Sequence, residues 1–166
     1  MTKRLAAMLA SGMAAVTIAD AALADGANQV VGTWRMVTAQ IDPEGANRPA
    51  YGPEPHGWLV FTEELTFVEV MTDPRVPRFA SDARGGGTDA EHRAAMAGSI
   101  GLFGRYTVDE NGEFSGNRVE GSTFPNWVGA VRTRDDIQFT VDGDRMTETF
   151  TRPEGVDVRI VWERVS

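Results

Sequence analysis

Apolar and polar residues alternate with a period of two along most of this chain, which marks strands rather than helices. In the run 31–41, Trp34, Met36 and Thr38 alternate with Arg35, Val37 and Ala39. That mixed pattern predicts a strand partly buried on both faces. Gly57–Thr62 and Thr66–Met71, joined by Glu63-Glu64, predict a hairpin. Phe103–Val108 and Phe114–Glu120 flank Asn111-Gly112, a hairpin turn signal. Runs 128–134 and 137–141 predict one long strand bent at Arg134-Asp-Asp136, and Asp142-Gly143 turns it into Met146–Thr151. The last strand has the cleanest alternation: Val156, Val158, Ile160 and Trp162 against Asp157, Arg159, Val161 and Glu163.

One helix interrupts this series. Thr88-Asp-Ala-Glu91 has the form of a capping box, with the threonine capping the first turn and the glutamate reaching back. Ala90, Ala94, Ala97 and Gly98 give a small-residue face suited to lying on a sheet, and Gly101 is a plausible stop. Two loops are long. Residues 42–55 are rich in proline, and 72–87 carry Arg75, Arg78, Arg84 and three consecutive glycines. An irregular stretch as long as 72–87 in a compact domain tends to be a functional lid or disordered, and here a lid is expected. A meander of short strands hides its edges by closing. The expected fold is all-β: a closed antiparallel up-and-down barrel of about eight to ten strands with one short inserted helix.

Composition narrows the setting. Lys3 and Arg4 precede an uncharged apolar run, Leu5–Ala19, and Ala22-Leu23-Ala24 fits a small-x-small cleavage site. That is the layout of a secretory signal peptide over residues 1–24, with residues 25–166 as the barrel domain. The run is shorter than the about 20 residues of a membrane span, so no span is expected in the mature form. A secreted or periplasmic location follows as an expectation. The net charge of −8 argues against nucleic acid as a partner. The chain has no cysteine, which excludes thiolate metal sites and a catalytic thiol. His56 and His92 stand far apart, without metal-ligand spacing. No cofactor or metal is expected.

The least generic stretch is Glu120-Gly-Ser-Thr-Phe-Pro-Asn-Trp-Val-Gly129, which reads as the hinge between two strands. Pro125 removes a ladder donor and Asn126 can fix a turn. With Gly32-Thr-Trp-Arg35, Tyr51-Gly-Pro53, Pro77-Arg-Phe-Ala80, Phe103–Asp109, Val119-Glu-Gly-Ser122 and Val161-Trp-Glu-Arg164, it makes the chain resemble the bacterial lipocalin-like domain family. The resemblance spans nearly all of the expected mature chain. It implies a lipocalin-like barrel with an interior cup and no particular activity. It also implies that Arg164 of the last strand lies across Trp34, which plugs one barrel end. In that family histidine is frequent just before the Val-Glu pair of a later strand, where this chain has Asn117 and Arg118.

The expected function is binding of a small, mainly apolar molecule in the barrel, with the loop arginines favouring an anionic head. Trp58, Phe67, Glu69, Arg78, Phe79, Tyr106, Arg118, Glu120, Phe124 and Trp127 are the ligand-binding candidates. Phe124 and Trp127 read first as corner packing, since large aromatics are core residues before they are ligand contacts. By period two, Arg118 and Glu120 face inward if Phe114 does, and would then pair across the cup; alternatively Val119 faces inward and both charges are solvated. The alternatives are a cyclase or isomerase using Glu120, Arg118 or His56 as acid or base, and a packed barrel that binds a partner on its exterior. A buried ionisable pair in an apolar cup favours catalysis, and an open apolar cup favours binding. A packed interior with a large exposed apolar patch favours the last reading.

Overall fold

Residues 27–165 are described by the computed structural model, so the expected signal peptide lies outside the described residues. Within them, ten antiparallel strands form one sheet: β1 (Gly32–Ile41), β2 (Arg48–Pro49), β3 (His56–Phe61), β4 (Thr66–Thr72), β5 (Ser99–Val108), β6 (Phe114–Ser122), β7 (Val131–Thr133), β8 (Ile137–Asp142), β9 (Arg145–Thr151) and β10 (Asp157–Arg164). Helix α1 (Asp89–Ala97) lies between β4 and β5, and a 3₁₀ turn, Pro125–Trp127, lies between β6 and β7. The strand order is β7-β6-β5-β4-β3-β1-β10-β9-β8, with β2 attached to β1.

Apart from the short β2, sheet neighbours are therefore successive strands of the chain except where β1 meets β10, which joins the first strand to the last; β7 and β8, successive in the chain, stand at the two edges of the sheet. The barrel is nearly closed. Between β6 and β8 the seam is made by side chains: Arg134 Nε donates to the Phe114 carbonyl at 2.6 Å, and the Phe114 and Phe139 rings meet edge to face at 4.7 Å. The bend expected at residues 134–136 sits at this seam, splitting the long strand into β7 and β8.

The alternation read from the sequence fills the interior. Phe61, Phe67, Tyr106 and Phe114 are fully or almost fully buried, with Leu59, Ile137, Met146 and Ile160 between them. At the end where β1 begins, Trp34 is a plug. Its indole N–H donates to the Val30 carbonyl at 2.8 Å, and the Arg164 guanidinium stacks 4.0 Å from its ring centroid. Arg164 also donates to the Val31 and Gln29 carbonyls, so one side chain clamps the first strand to the last. The Arg164–Trp34 stacking expected from the resemblance is present.

The helix begins as expected. Thr88 accepts from the Glu91 N–H, and Glu91 Oε2 accepts from the Thr88 N–H at 2.6 Å. It ends earlier, with Gly98 as its C-cap, and Gly101 belongs to β5. Its small-residue face does not lie on the sheet, since none of its residues is buried. Instead loop 73–87 folds against it: Glu91 accepts from the Ala80 N–H, and the Phe79 ring meets His92 edge to face at 5.1 Å.

Strand β6 decides between the two readings of Arg118 and Glu120, in favour of Val119 facing inward. Phe114 faces inward, yet Arg118 and Glu120 point outward while Asn117 and Val119 are buried. The pairing with β5 shifts between Thr107 and Val108, where Gly116 and Phe114 are the partners and Ser115 is passed over. One extra residue in a strand reverses which side chains face the core beyond it. An interior Arg118–Glu120 couple is thereby excluded. Glu120 instead meets Arg105 at 3.4 Å on the exposed outer wall.

An interior acid pair as the candidate functional site

Three polar residues occupy inward positions of the barrel: Glu69 at 3 % exposure, Glu148 at 2 % and Asn117 at 6 %. Their placement follows from period two. Glu69 lies between inward-facing Phe67 and Met71 on β4, and Glu148 follows buried Met146 on β9. The two carboxyl groups share this interior region, and each acts on the other's protonation. The Trp162 indole N–H donates to Glu148 Oε2 at 3.0 Å. Arg132, opposite Asn117 in the β6–β7 ladder, donates from Nε to Asn117 Oδ1 at 2.9 Å. Tyr51, from the loop after β2, packs at the margin of the same cluster.

Burial dominates the electrostatics. It raises the Glu69 carboxyl from 4.5 to about 7, against opposing contributions from the Arg132 charge and the contact with Glu148. Burial also raises Glu148 well above the carboxylate range; the Glu69 charge adds to this, and the Trp162 N–H and Arg132 oppose it. Removing water disfavours an isolated charge, and a second acid nearby disfavours it further. Burial and mutual repulsion therefore both favour the protonated form of the pair. The Tyr51 hydroxyl is raised by burial, then by the Glu69 charge. Two atoms in the cluster lack a hydrogen-bond partner, Glu69 Oε1 and Arg132 Nη2, and both are buried. A buried polar atom left unpaired costs roughly 1–3 kcal/mol.

The structure separates the candidates read from the sequence. Glu69, Phe67 and Tyr106 are in the interior. Tyr106 sits at the plugged end, where its hydroxyl donates to the Thr62 carbonyl at 2.7 Å and accepts from Asn28. Arg118, Glu120 and His56 are exposed on the wall or its rim, away from the acid pair. Trp58 also faces outward, in an exposed apolar strip with Val68, Val70 and Phe103 across β3, β4 and β5. Arg78 is exposed opposite Asp82 at 3.9 Å, and Arg75 is held by Asp73 at 2.7 Å. The loop arginines thus lie outside the barrel, and Arg132 is the cation beside the acids. Trp127 packs against the core, and Phe124 rests on it edge to face at 5.6 Å. Gly129 closes this corner with φ +85°, donating its N–H to the Val119 carbonyl.

Glu148, Asn117, Arg132 and Tyr51 were missing from the sequence candidates. For Glu148 the signal was available, because Met146 and Glu148 share a strand face. For Asn117 it was hidden by the bulge at Ser115, and for Arg132 by a three-residue strand whose apolar Val131 faces outward. Surface depressions of about 260 and 290 Å³ lie over β8–β10 and over β5–β7, and neither is lined by Glu69 or Glu148. Among the described residues, no group of three or more His, Asp or Glu could hold a metal ion.

A nearly closed antiparallel barrel, plugged by a tryptophan under an arginine and continuous from first strand to last, defines a lipocalin-like protein. The lipocalin-like domain model matches residues 31–165, and the chain belongs to that family. No curated protein sequence matches it. Among solved structures it is similar to secretory abundant heat soluble protein 4 from Ramazzottius varieornatus, with 14 % identity, 85 % of this chain and 98 % of that chain covered, and a TM-score of 0.42.

Proposed function

We propose that this chain is an exported lipocalin-like protein that binds a small, mainly apolar molecule inside the barrel, with its polar end at the Glu69–Glu148 pair. A barrel of this size holds at most one small ligand. A pocket with aromatic walls and a few convergent polar groups is the usual form of such a site. The observation that carries the reading is Glu69: a buried carboxyl with one oxygen unpartnered. Export is supported by the basic start, apolar run and Ala22-Leu23-Ala24 of the N-terminal segment.

The test is native mass spectrometry of the protein purified from its source, with tryptophan emission followed during titration with lipid and small-acid panels. A bound mass, or an emission change from buried Trp162, supports the reading. A bare protein mass with unchanged emission across the panels overturns it.

The acid pair also favours a second reading, acid–base catalysis of an isomerisation or cyclisation, in which Glu148 donates a proton and Glu69 accepts one. A carboxyl raised to about 7 is suited to either task near neutral pH. Turnover of a captured ligand, abolished in Glu69→Gln with binding retained, separates this reading from binding alone.

A further inference from the structure

Two partnerless buried atoms face the same interior cluster, and they are of opposite kinds. Glu69 Oε1 is an acceptor and Arg132 Nη2 is a donor. Their neighbours are already engaged: Arg132 Nε with Asn117, Glu148 with the Trp162 indole, and the Tyr106 hydroxyl with Thr62. The Arg132 charge acts on Glu69, yet no direct hydrogen bond joins them. Unpaired polar atoms in an apolar interior are costly, and structures rarely leave them so without a use. Two such atoms, one of each polarity, leave hydrogen-bonding capacity of both kinds in one cluster.

We propose that Glu69 and Arg132 form the head-group subsite of the barrel, and that it takes a small neutral group able to donate and accept at once, a primary amide or a hydroxyl. The group donates to Glu69 Oε1 and accepts from Arg132 Nη2, while its apolar tail packs among the inward-facing aromatic and aliphatic residues. Charged heads fit worse. A carboxylate faces two acids across a water-poor interior, and an ammonium faces a guanidinium. This inference rests on the reading that the barrel interior binds ligand, and adds the class of head group.

Five probes share one tail: hexanamide, 1-hexanol, hexanoate, hexylamine and hexane. Binding is read by calorimetry and by the Trp162 indole N–H resonance, assigned with Trp162→Phe. Hexanamide and 1-hexanol are expected to bind at least ten-fold more tightly than the other three. Glu69→Leu and Arg132→Met are each expected to erase that preference while hexane binding remains, with folding checked by thermal melts. The wild-type ranking stands as a test even where a variant does not fold. Tightest binding by hexylamine or hexanoate overturns the subsite. Equal binding of hexane and hexanamide also overturns it but leaves interior binding intact. Silence from all five probes overturns both.

Discussion

The indole N–H of Trp162 donates to Glu148 Oε2 at 3.0 Å, with both side chains almost wholly buried. Strands β9 and β10 are thus tied by a side-chain bond as well as their ladder. Trp162→Phe removes the donor and keeps most of the packing. The expected loss is about 1–3 kcal/mol, because Glu148 is left with a buried acceptor unpaired. Adding Glu148→Leu to Trp162→Phe should recover part of that loss. Urea unfolding of both single variants and the double variant measures the coupling, and strictly additive losses would count against the bond.

The acid pair gives stability a pH dependence of definite sign. Both carboxyls are raised in the folded state, Glu69 from 4.5 to about 7. Between those values the unfolded chain has released protons that the folded chain still holds, so stability falls as pH rises from about 4.5 to 7. Glu69→Gln should flatten this decline and raise stability at pH 8 by up to about 3 kcal/mol. A thermal melting series across that range reads it directly. Half-buried Asp73 and Asp109 and exposed Asp136 have lowered values, Asp73 and Asp136 chiefly through hydrogen bonds from Arg75 and Thr133 and Asp109 through bonds that outweigh its burial, so they act in the opposite sense, their contribution being lost as the solution becomes strongly acidic.

At the plugged end, Arg164 both stacks on Trp34 and donates to the backbone ahead of β1. Arg164→Ala should cost about 1–2 kcal/mol from the stacking and further stability from the freed carbonyls. Arg164→Lys should recover little, since an ammonium cannot match the planar fork. Trp34→Ala should cost at least about 3–5 kcal/mol. A stable Trp34→Ala protein that lost only ligand binding would remove the structural role assigned to the plug.

Gly104 and Gly129 provide a contrast. A Cβ at Gly104 would lie 2.0 Å from the Arg118 carbonyl oxygen, at the register shift between β5 and β6, so Gly104→Ala forces backbone apart. A Cβ at Gly129 meets nothing within 4 Å, and only its φ of +85° opposes substitution. Gly129→Ala should therefore cost about 1–2 kcal/mol, and Gly104→Ala clearly more. Melting temperatures in the reverse order would contradict the close approach.

How far the site was legible depended on distance along the chain. Glu69 stands among the candidates with its face open, and the flanking Phe67 and Met71 on β4 are the local signal that settles it. Glu148 was equally readable on β9, but nothing local says that two glutamates far apart in sequence meet. The face of Arg118 and Glu120 stayed open in the sequence because a single bulge residue decides it: period two carries a face assignment only until the register breaks. His56 drew attention as a titratable residue near a proline-rich loop, and it lies exposed at the start of β3.

The linear pattern alone determined the class of fold: alternation set the strands, Asn111-Gly112 and Asp142-Gly143 set two hairpins, and Thr88 with Glu91 set the helix start. These are local preferences, and short segments carry them. Only the tertiary structure decided which polar side chains share the interior. That follows from the closing of β1 on β10 and from the shift at Ser115, both of which depend on how distant strands pair. Burial then supplies the chemistry, since two glutamates ordinary in sequence become proton-holding acids only when the barrel removes them from water.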